Sequence, residues 1–162
     1  MDKTEARIRL AIDAMGSDLG PSEVLEGVAQ AIDRSPWNTE FVLFGQEEII
    51  EPLITSHSIL SRSKVEFVHS PEVVGMEEKP IAGIKGKKKS SMSLALQALK
   101  EGEADALLSC GNTGCLMAGG AIKLRTLDGV ERPALCTIWP GRERYFTLLD
   151  AGANPHAKPF HI

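Results

Sequence analysis

The chain has 162 residues, of which 43% are hydrophobic and 25% are charged, a composition typical of a globular protein large enough to bury one core. Its net charge of −4 argues against a nucleic-acid partner held by phosphate neutralisation. Its three cysteines lack metal-ligand spacing, which argues against a disulfide framework or a zinc site and indicates a reducing cytoplasm. We therefore expect one cytoplasmic domain over residues 1–162, without a metal or a cofactor.

The N-terminal residues and the longest uncharged stretch bear on targeting. The first seven residues are polar and lack the apolar core of a signal peptide. The stretch 106–122 is interrupted by glycines and is shorter than a membrane-spanning helix requires. We expect neither secretion nor a membrane span.

Strand and helix patterns alternate along the chain. Short apolar runs predict strands, and apolar residues at helical spacing predict helices. The predicted strands cover residues 8–12, 41–44, 65–68, 105–108, 133–139 and 145–150. The predicted helices cover 21–33, 47–54, a segment that starts among the serines of 90–93 and ends at Gly102, and 115–122. This alternation predicts an α/β fold, with a mostly parallel sheet between two layers of helices.

The last two predicted strands are joined by only five residues, 140–144. A parallel crossover needs a dozen residues or more, so this pair is predicted to be an antiparallel hairpin within a mixed sheet. Strands of such sheets are buried on both faces, so an apolar face is exposed unless something covers it. The sequence thus predicts a three-layer α/β/α domain that is incomplete by itself.

The loop between the fourth strand and the last helix is Ser-Cys-Gly-Asn-Thr-Gly, residues 109–114. Gly111 and Gly114 allow a tight turn, while Asn112 and Thr113 offer side-chain donors beside the free N–H groups of the helix. The helix dipole and the unpaired amides favour a phosphate or an oxyanion there. The alternative interpretation is an ordinary strand-to-helix turn that needs glycine and a cap.

Two aspartates, Asp13 and Asp18, follow the first predicted strand. Open α/β sheets place their ligands at the carboxyl ends of strands, so both are predicted to face the same crevice as the 109–114 loop. The alternative is that they stabilise their loop through hydrogen bonds to its backbone.

A basic and hydroxyl-rich segment precedes the third predicted helix. Lys87 or Lys88 can neutralise a bound phosphate, and Ser90 and Ser91 can add hydroxyl donors. The alternatives are a solvated charged face for the lysines and helix capping for the serines.

Several loops together identify a family. The motifs are Asp-Ala-Met-Gly-Ser-Asp at 13–18, Lys-Lys with Ser-Ser-Met between 87 and 92, Ser-x-Gly-Asn-Thr-Gly at 109–114, Arg-Pro-Ala-Leu at 132–135, and Leu-Asp with Gly-Ala-Asn and Lys-Pro between 149 and 159. Together they make the chain resemble the N-terminal half of the bacterial phosphate acyltransferases of the PlsX family.

The resemblance implies an activity and its partners. Such an enzyme forms acyl phosphate from acyl-[acyl carrier protein] and inorganic phosphate in phospholipid biosynthesis, on a fold related to the isocitrate and isopropylmalate dehydrogenases. It works as a homodimer, and a part of family members beyond this chain touches the membrane surface. The implied catalytic residues are Asn112, Lys88 and Asp13. The implied substrate-binding residues are Gly111, Thr113, Gly114, Ser90, Ser91, Lys87, Asp18, Asp150 and Asn154.

Two other functions stay open at this point. One is a dehydrogenase or phosphate acetyltransferase of the related fold, although no Gly-x-Gly-x-x-Gly fingerprint follows the first strand. The other is a non-catalytic or incomplete binding fragment that keeps the loops without turnover.

The lysine run predicts how the carrier approaches. Lys85, Lys87, Lys88 and Lys89 lie within five positions of a chain that is negative overall. Such a patch speeds the encounter with an acidic carrier protein, and salt weakens the effect. We expect the double change Lys85→Glu with Lys89→Glu to slow carrier association at low salt and to spare phosphate affinity.

Overall fold

The computed structural model describes residues 7–35, 38–63, 65–131 and 133–152. The chain divides into two compact units, residues 1–123 and 124–162, each of which is described by itself. That the whole chain is a single domain stays a prediction.

The described residues of the first unit form four strands and five α-helices. The strands are β1 (Ile8–Asp13), β2 (Thr39–Gly45), β3 (Glu66–His69) and β4 (Ala106–Ser109). The helices are α1 (Pro21–Arg34), α2 (Glu47–Ser56), α3 (Pro80–Gly86), α4 (Ser91–Glu101) and α5 (Thr113–Lys123), with a short 3-10 helix at Leu60–Arg62. The predicted strands and helices of this unit are confirmed to within three residues at each end, apart from α3, which the sequence reading missed.

The four strands form one parallel sheet in the order β3-β2-β1-β4. Ile12 of β1 lies opposite Leu43 of β2 and Leu108 of β4, which fixes the register of the centre. The chain builds outward from β1 through β2 to β3 and then crosses to the other side of β1 for β4. The strand order therefore reverses between β1 and β4, and this reversal is the topological switch point of the sheet.

Both faces of the sheet are covered by helices. On one face, α1 and α2 pack on the sheet around Ile12, Leu25 and Leu43. On the other, Ala11 and Phe44 contact the small side chains of α4. Neighbouring residues of β1 point to opposite faces, as the period of a strand requires. The three-layer α/β/α arrangement is confirmed, while a relation to the dehydrogenase folds stays a prediction.

The residues predicted to begin and end α4 do so in the structure. The Ser90 Oγ accepts the N–H of Ser93 at 3.3 Å, the bond of a serine N-cap. Gly102 ends the helix in the left-handed conformation, with φ of 74°. Among the described residues, no helix has the length and apolar content to cross a bilayer.

The second unit contains a β-hairpin. Strand β5 (Cys136–Pro140) pairs antiparallel with β6 (Tyr145–Leu149), and the Gly141 N–H donates to the Arg144 carbonyl in the turn. The antiparallel pairing is confirmed. The predicted mixed sheet is corrected, because the hairpin forms a two-stranded sheet of its own and the four-stranded sheet is wholly parallel. A short turn specifies pairing between adjacent strands, whereas joining a larger sheet depends on long-range contacts that the local pattern does not encode.

Candidate functional site

The carboxyl ends of β1 and β4 meet at the switch point. Asp13 and Ser109 are register partners there, and the Ser109 Oγ donates to the Asp13 Oδ2 at 2.7 Å. The same serine oxygen accepts the Gly111 N–H at 3.1 Å. Asp13 is only 2% exposed, and its Oδ1 has no hydrogen-bond partner among the residues described. A buried carboxylate thus holds the first turn of the 109–114 loop through a serine.

The two loops at the switch point touch through glycines. A Cβ at Gly16 would lie 2.6 Å from the Asp13 Oδ2 and 3.0 Å from the Gly111 nitrogen. A Cβ at Gly111 would in turn lie 3.1 Å from the Gly16 carbonyl oxygen. A Cβ at 2.6 Å from another atom must displace it, and one at 3.0 or 3.1 Å needs the neighbour to move slightly. Gly16 therefore carries a constraint that sequence reading missed, whereas Gly111 was predicted as a turn glycine.

Asn112 caps α5 and also forms hydrogen bonds to the segment that precedes α3. Its Oδ1 accepts the Cys115 N–H at 3.0 Å, which is the bond of an asparagine N-cap. Its Nδ2 lies 3.2, 2.8 and 3.0 Å from the carbonyl oxygens of Gly75, Met76 and Glu78. The amide is buried, and both of its ends have protein partners. A phosphate contact of this side chain stays a prediction.

The first turn of α5 offers free backbone donors. Within the described ranges, the N–H groups of Thr113 and Gly114 have no acceptor, whereas those of Cys115 and Leu116 bond to Asn112. Thr113 is exposed to solvent. Two unpaired N–H groups at the positive end of a helix can donate hydrogen bonds to an oxyanion.

Lys87, which is partly exposed, is paired with Glu78. The Lys87 Nζ donates to the Glu78 carboxylate and, at 2.7 Å, to the Val73 carbonyl. Glu78 also accepts the Gly75 N–H at 2.8 Å. The bond from Lys87, and after it the Gly75 N–H, hold the pKa of Glu78 below its usual value.

The sequence analysis did not identify Glu78. Its backbone carbonyl also accepts a hydrogen bond from the Asn112 side chain. The segment 73–78 is thereby bonded both to the start of α5 and to Lys87. The only available signal was an acidic residue two positions before Pro80, and proline is a residue that often opens a helix.

The remaining basic and hydroxyl residues divide into two groups. Lys88 is exposed, and its side chain makes no hydrogen bond or ion pair with any described residue. Ser90 donates to the Lys87 carbonyl at 2.9 Å and caps α4, so the capping interpretation is confirmed for it. Ser91 is buried, with its N–H directed to the Glu72 carbonyl at 3.2 Å. Lys88 is the member of this group that is free to meet a ligand.

For three predicted site residues, a role at this site stays a prediction. Asp18 is exposed in the loop between β1 and α1. Asp150 belongs to the second unit, has φ of 60° and keeps its Oδ1 buried without a partner among the residues described. Asn154 lies outside the described residues.

Metal ligation and the Cys115 thiol find little support as chemistry in the described part of the chain. There, no group of three histidine, cysteine, aspartate or glutamate residues is arranged to hold a metal ion. The Cys115 thiol is buried, and burial, followed by the nearby Glu78 charge, raises its pKa. A thiol with a raised pKa is a poor nucleophile.

The fold and the switch-point cluster place the chain in a class: open α/β proteins whose ligands bind at the carboxyl ends of parallel strands. The chain belongs to the fatty acid synthesis protein family, whose model matches residues 8–162.

Relatives agree with this assignment. The phosphate acyltransferase of Levilactobacillus brevis is 40% identical over 159 residues, which cover 96% of this chain and 44% of the relative. That of Azorhizobium caulinodans is 46% identical over 150 residues, covering 92% of this chain and 42% of the relative. That of a Bradyrhizobium strain is 43% identical over 157 residues, covering 96% and 44%. The chain thus spans less than half the length of these curated relatives.

Proposed function

We propose that the chain takes part in a phosphate acyltransferase reaction, which forms acyl phosphate from an acyl-[acyl carrier protein] and inorganic phosphate. A phosphate oxygen attacks the thioester carbonyl, the new C–O bond replaces the C–S bond, and the phosphate proton passes to the departing thiol. The observation that carries this proposal is the match of 92–96% of the chain to enzymes of that name. Acyl phosphate formation would place the protein in phospholipid biosynthesis.

We assign phosphate binding to the start of α5. The free N–H groups of Thr113 and Gly114 supply donors, and the helix dipole adds positive potential. Lys88 supplies a cation that no described residue neutralises. Phosphate already carries the nucleophilic oxyanion, so the reaction needs orientation and charge stabilisation more than a separate nucleophile.

The switch-point residues act by positioning. Asp13 orients Ser109, and Ser109 fixes the Gly111 amide, so the 109–114 loop enters α5 in one conformation. Asn112 fixes the same helix start from the other side. In this scheme, Asp13 and Asn112 hold the donors in place, and Lys88 contacts the phosphate.

A hybrid enzyme tests the proposal. This chain replaces the matching segment of the Levilactobacillus brevis relative, and hydroxylamine traps the acyl phosphate as a hydroxamate. We expect the hybrid to be active and Lys88→Ala to lose about 10²-fold in kcat/KM for phosphate. Lys100→Ala, on the exposed end of α4, is the control. A folded hybrid without activity would favour a non-catalytic binding fragment, and equal activity of the two lysine variants would remove Lys88 from the site.

We further propose a cytoplasmic homodimer that binds no nucleic acid, with peripheral membrane association of the full-length protein. The family resemblance supports the dimer and the membrane contact, and the net charge of −4 argues against nucleic acid. Light scattering of the purified hybrid gives its oligomeric state. Flotation with anionic vesicles tests the membrane contact.

A further inference from the structure

Helix α3 presents an exposed apolar side chain between lysines. A shallow depression is lined by Lys79, Pro80, Ile81, Ala82 and Lys85, here called the α3 surface. Ile81 is 59% exposed and lies at the centre of this depression, between the two lysines. The opposite side of α3 is packed, since Gly83 and Ile84 are buried. The α3 surface is therefore the outer side of a helix that the core holds in place.

The charge around this surface is opposite to that of the chain. Residues 76–89 contain five lysines and two glutamates, a net charge of +3, whereas the whole chain carries −4. One of the two glutamates, Glu78, is already paired with Lys87. An apolar centre with a basic rim complements a protein surface that shows apolar side chains among carboxylates.

The α3 surface adjoins the proposed phosphate site. A Cβ at Gly114 would lie 2.8 Å from the Pro80 Cγ, so the first residue of α3 packs directly on the first turn of α5. On the inner side, a Cβ at Gly83 would lie 3.0 Å from the Cys115 Sγ. A partner seated on α3 would therefore lie beside the two free amides of α5.

We propose that the α3 surface is the docking site for an acidic protein that presents the acyl thioester to α5. This inference rests on the proposed function and adds a location to it. Ile81 anchors the partner, while Lys79 and Lys85 contact its carboxylates. An anionic membrane is a weaker match, because α3 has only seven residues and exposes one large apolar side chain.

Binding of a purified acyl-[acyl carrier protein] to the full chain tests the proposal. We expect Ile81→Glu to weaken binding about tenfold or more, because it places a carboxylate at the centre of the contact. The pair Lys79→Glu with Lys85→Glu should weaken binding strongly at low salt and less at high salt. Ile49→Glu on α2 and Lys100→Glu on α4 are matched exposed controls and should bind like the parent.

The possible outcomes separate this inference from the proposed function. A parent chain that binds no carrier contradicts both. A parent that binds carrier, with Ile81→Glu binding equally well, overturns the docking site alone. Loss of self-association or of vesicle binding in Ile81→Glu, at unchanged carrier affinity, overturns it too and assigns the surface to a second copy or to a membrane. A selective loss of carrier affinity supports it.

Discussion

The parallel sheet and the hairpin bury similar sequences to very different degrees. Leu43 and Ile12, in the centre of the sheet, are 0% and 1% exposed. Ile138 and Tyr145, in the hairpin, are 75% and 80% exposed. Both regions are apolar, so hydrophobic content alone does not decide what is buried.

The difference lies in the connections. Each parallel crossover carries a helix back across the sheet, and that helix covers a face. The turn of the hairpin, in contrast, is too short to hold a covering element. The apolar side chains of strands joined by a tight turn are therefore buried only by contacts with other parts of a protein. Differences in burial of this kind lead to the four predictions below.

The largest effect is expected from matched truncations in the two regions. Leu43→Ala opens a cavity in the core and should lower the free energy of unfolding by about 2–5 kcal/mol. Leu149→Ala, at a half-exposed position of β6, should cost less than about 1 kcal/mol. Urea unfolding followed by circular dichroism gives both values. Equal costs would mean that the hairpin is as buried in solution as the sheet.

The next largest effect is expected from glycine substitutions in the first unit, one at the switch point and one on the surface of a helix. Gly16→Ala should destabilise by about 2 kcal/mol, because its Cβ meets a buried carboxylate and a backbone nitrogen. Gly27→Ala in α1 meets nothing within 4 Å and should be neutral or stabilising. Thermal melting distinguishes them, and a stable Gly16→Ala protein would show that the two loops can separate.

The third prediction concerns the tie between segment 73–78 and α5. Asn112→Ala should cost about 1–2 kcal/mol, because it removes a helix cap and a donor to buried carbonyls. Asn112→Asp keeps the capping oxygen but turns a buried carboxylate oxygen toward three carbonyl oxygens, so it should cost at least as much as Asn112→Ala. Hydrogen exchange of segment 73–78 measures this effect locally. If the amides of this segment are as protected in Asn112→Ala as in the parent, Asn112 does not hold the segment.

The smallest expected effect is on the pH dependence of the free energy of unfolding. The pKa of Glu78 is lower in the folded chain than its usual value of about 4.5, so its contribution to stability is present above that value and is lost as the pH falls through the folded pKa. Glu78→Gln should therefore lose less stability than the parent between pH 6 and about pH 3. Glu77→Gln, an exposed neighbour, should follow the parent. Parallel melting curves of all three proteins would contradict the pairing with Lys87.

Local patterns predicted most of the secondary structure. The strands were recognised from apolar runs, and Ser90 with Gly102 marked the two ends of α4. Helix α3 was missed because its sequence, Pro-Ile-Ala-Gly-Ile-Lys-Gly, has two glycines and too few turns to show a helical period. Its stability comes instead from packing against α5 through Gly83 and Ile84.

The sequence by itself determined the class of fold, the hairpin pairing, the glycine-rich turn at 109–114 and the family, because each depends on residues close together in the chain. Only the tertiary structure decided that Asn112 bonds to carbonyls 34–37 positions away and that Glu78 holds Lys87. It also decided that Gly16 and Gly111 touch at the switch point. These contacts join loops that only the completed sheet brings together, and no local periodicity encodes them.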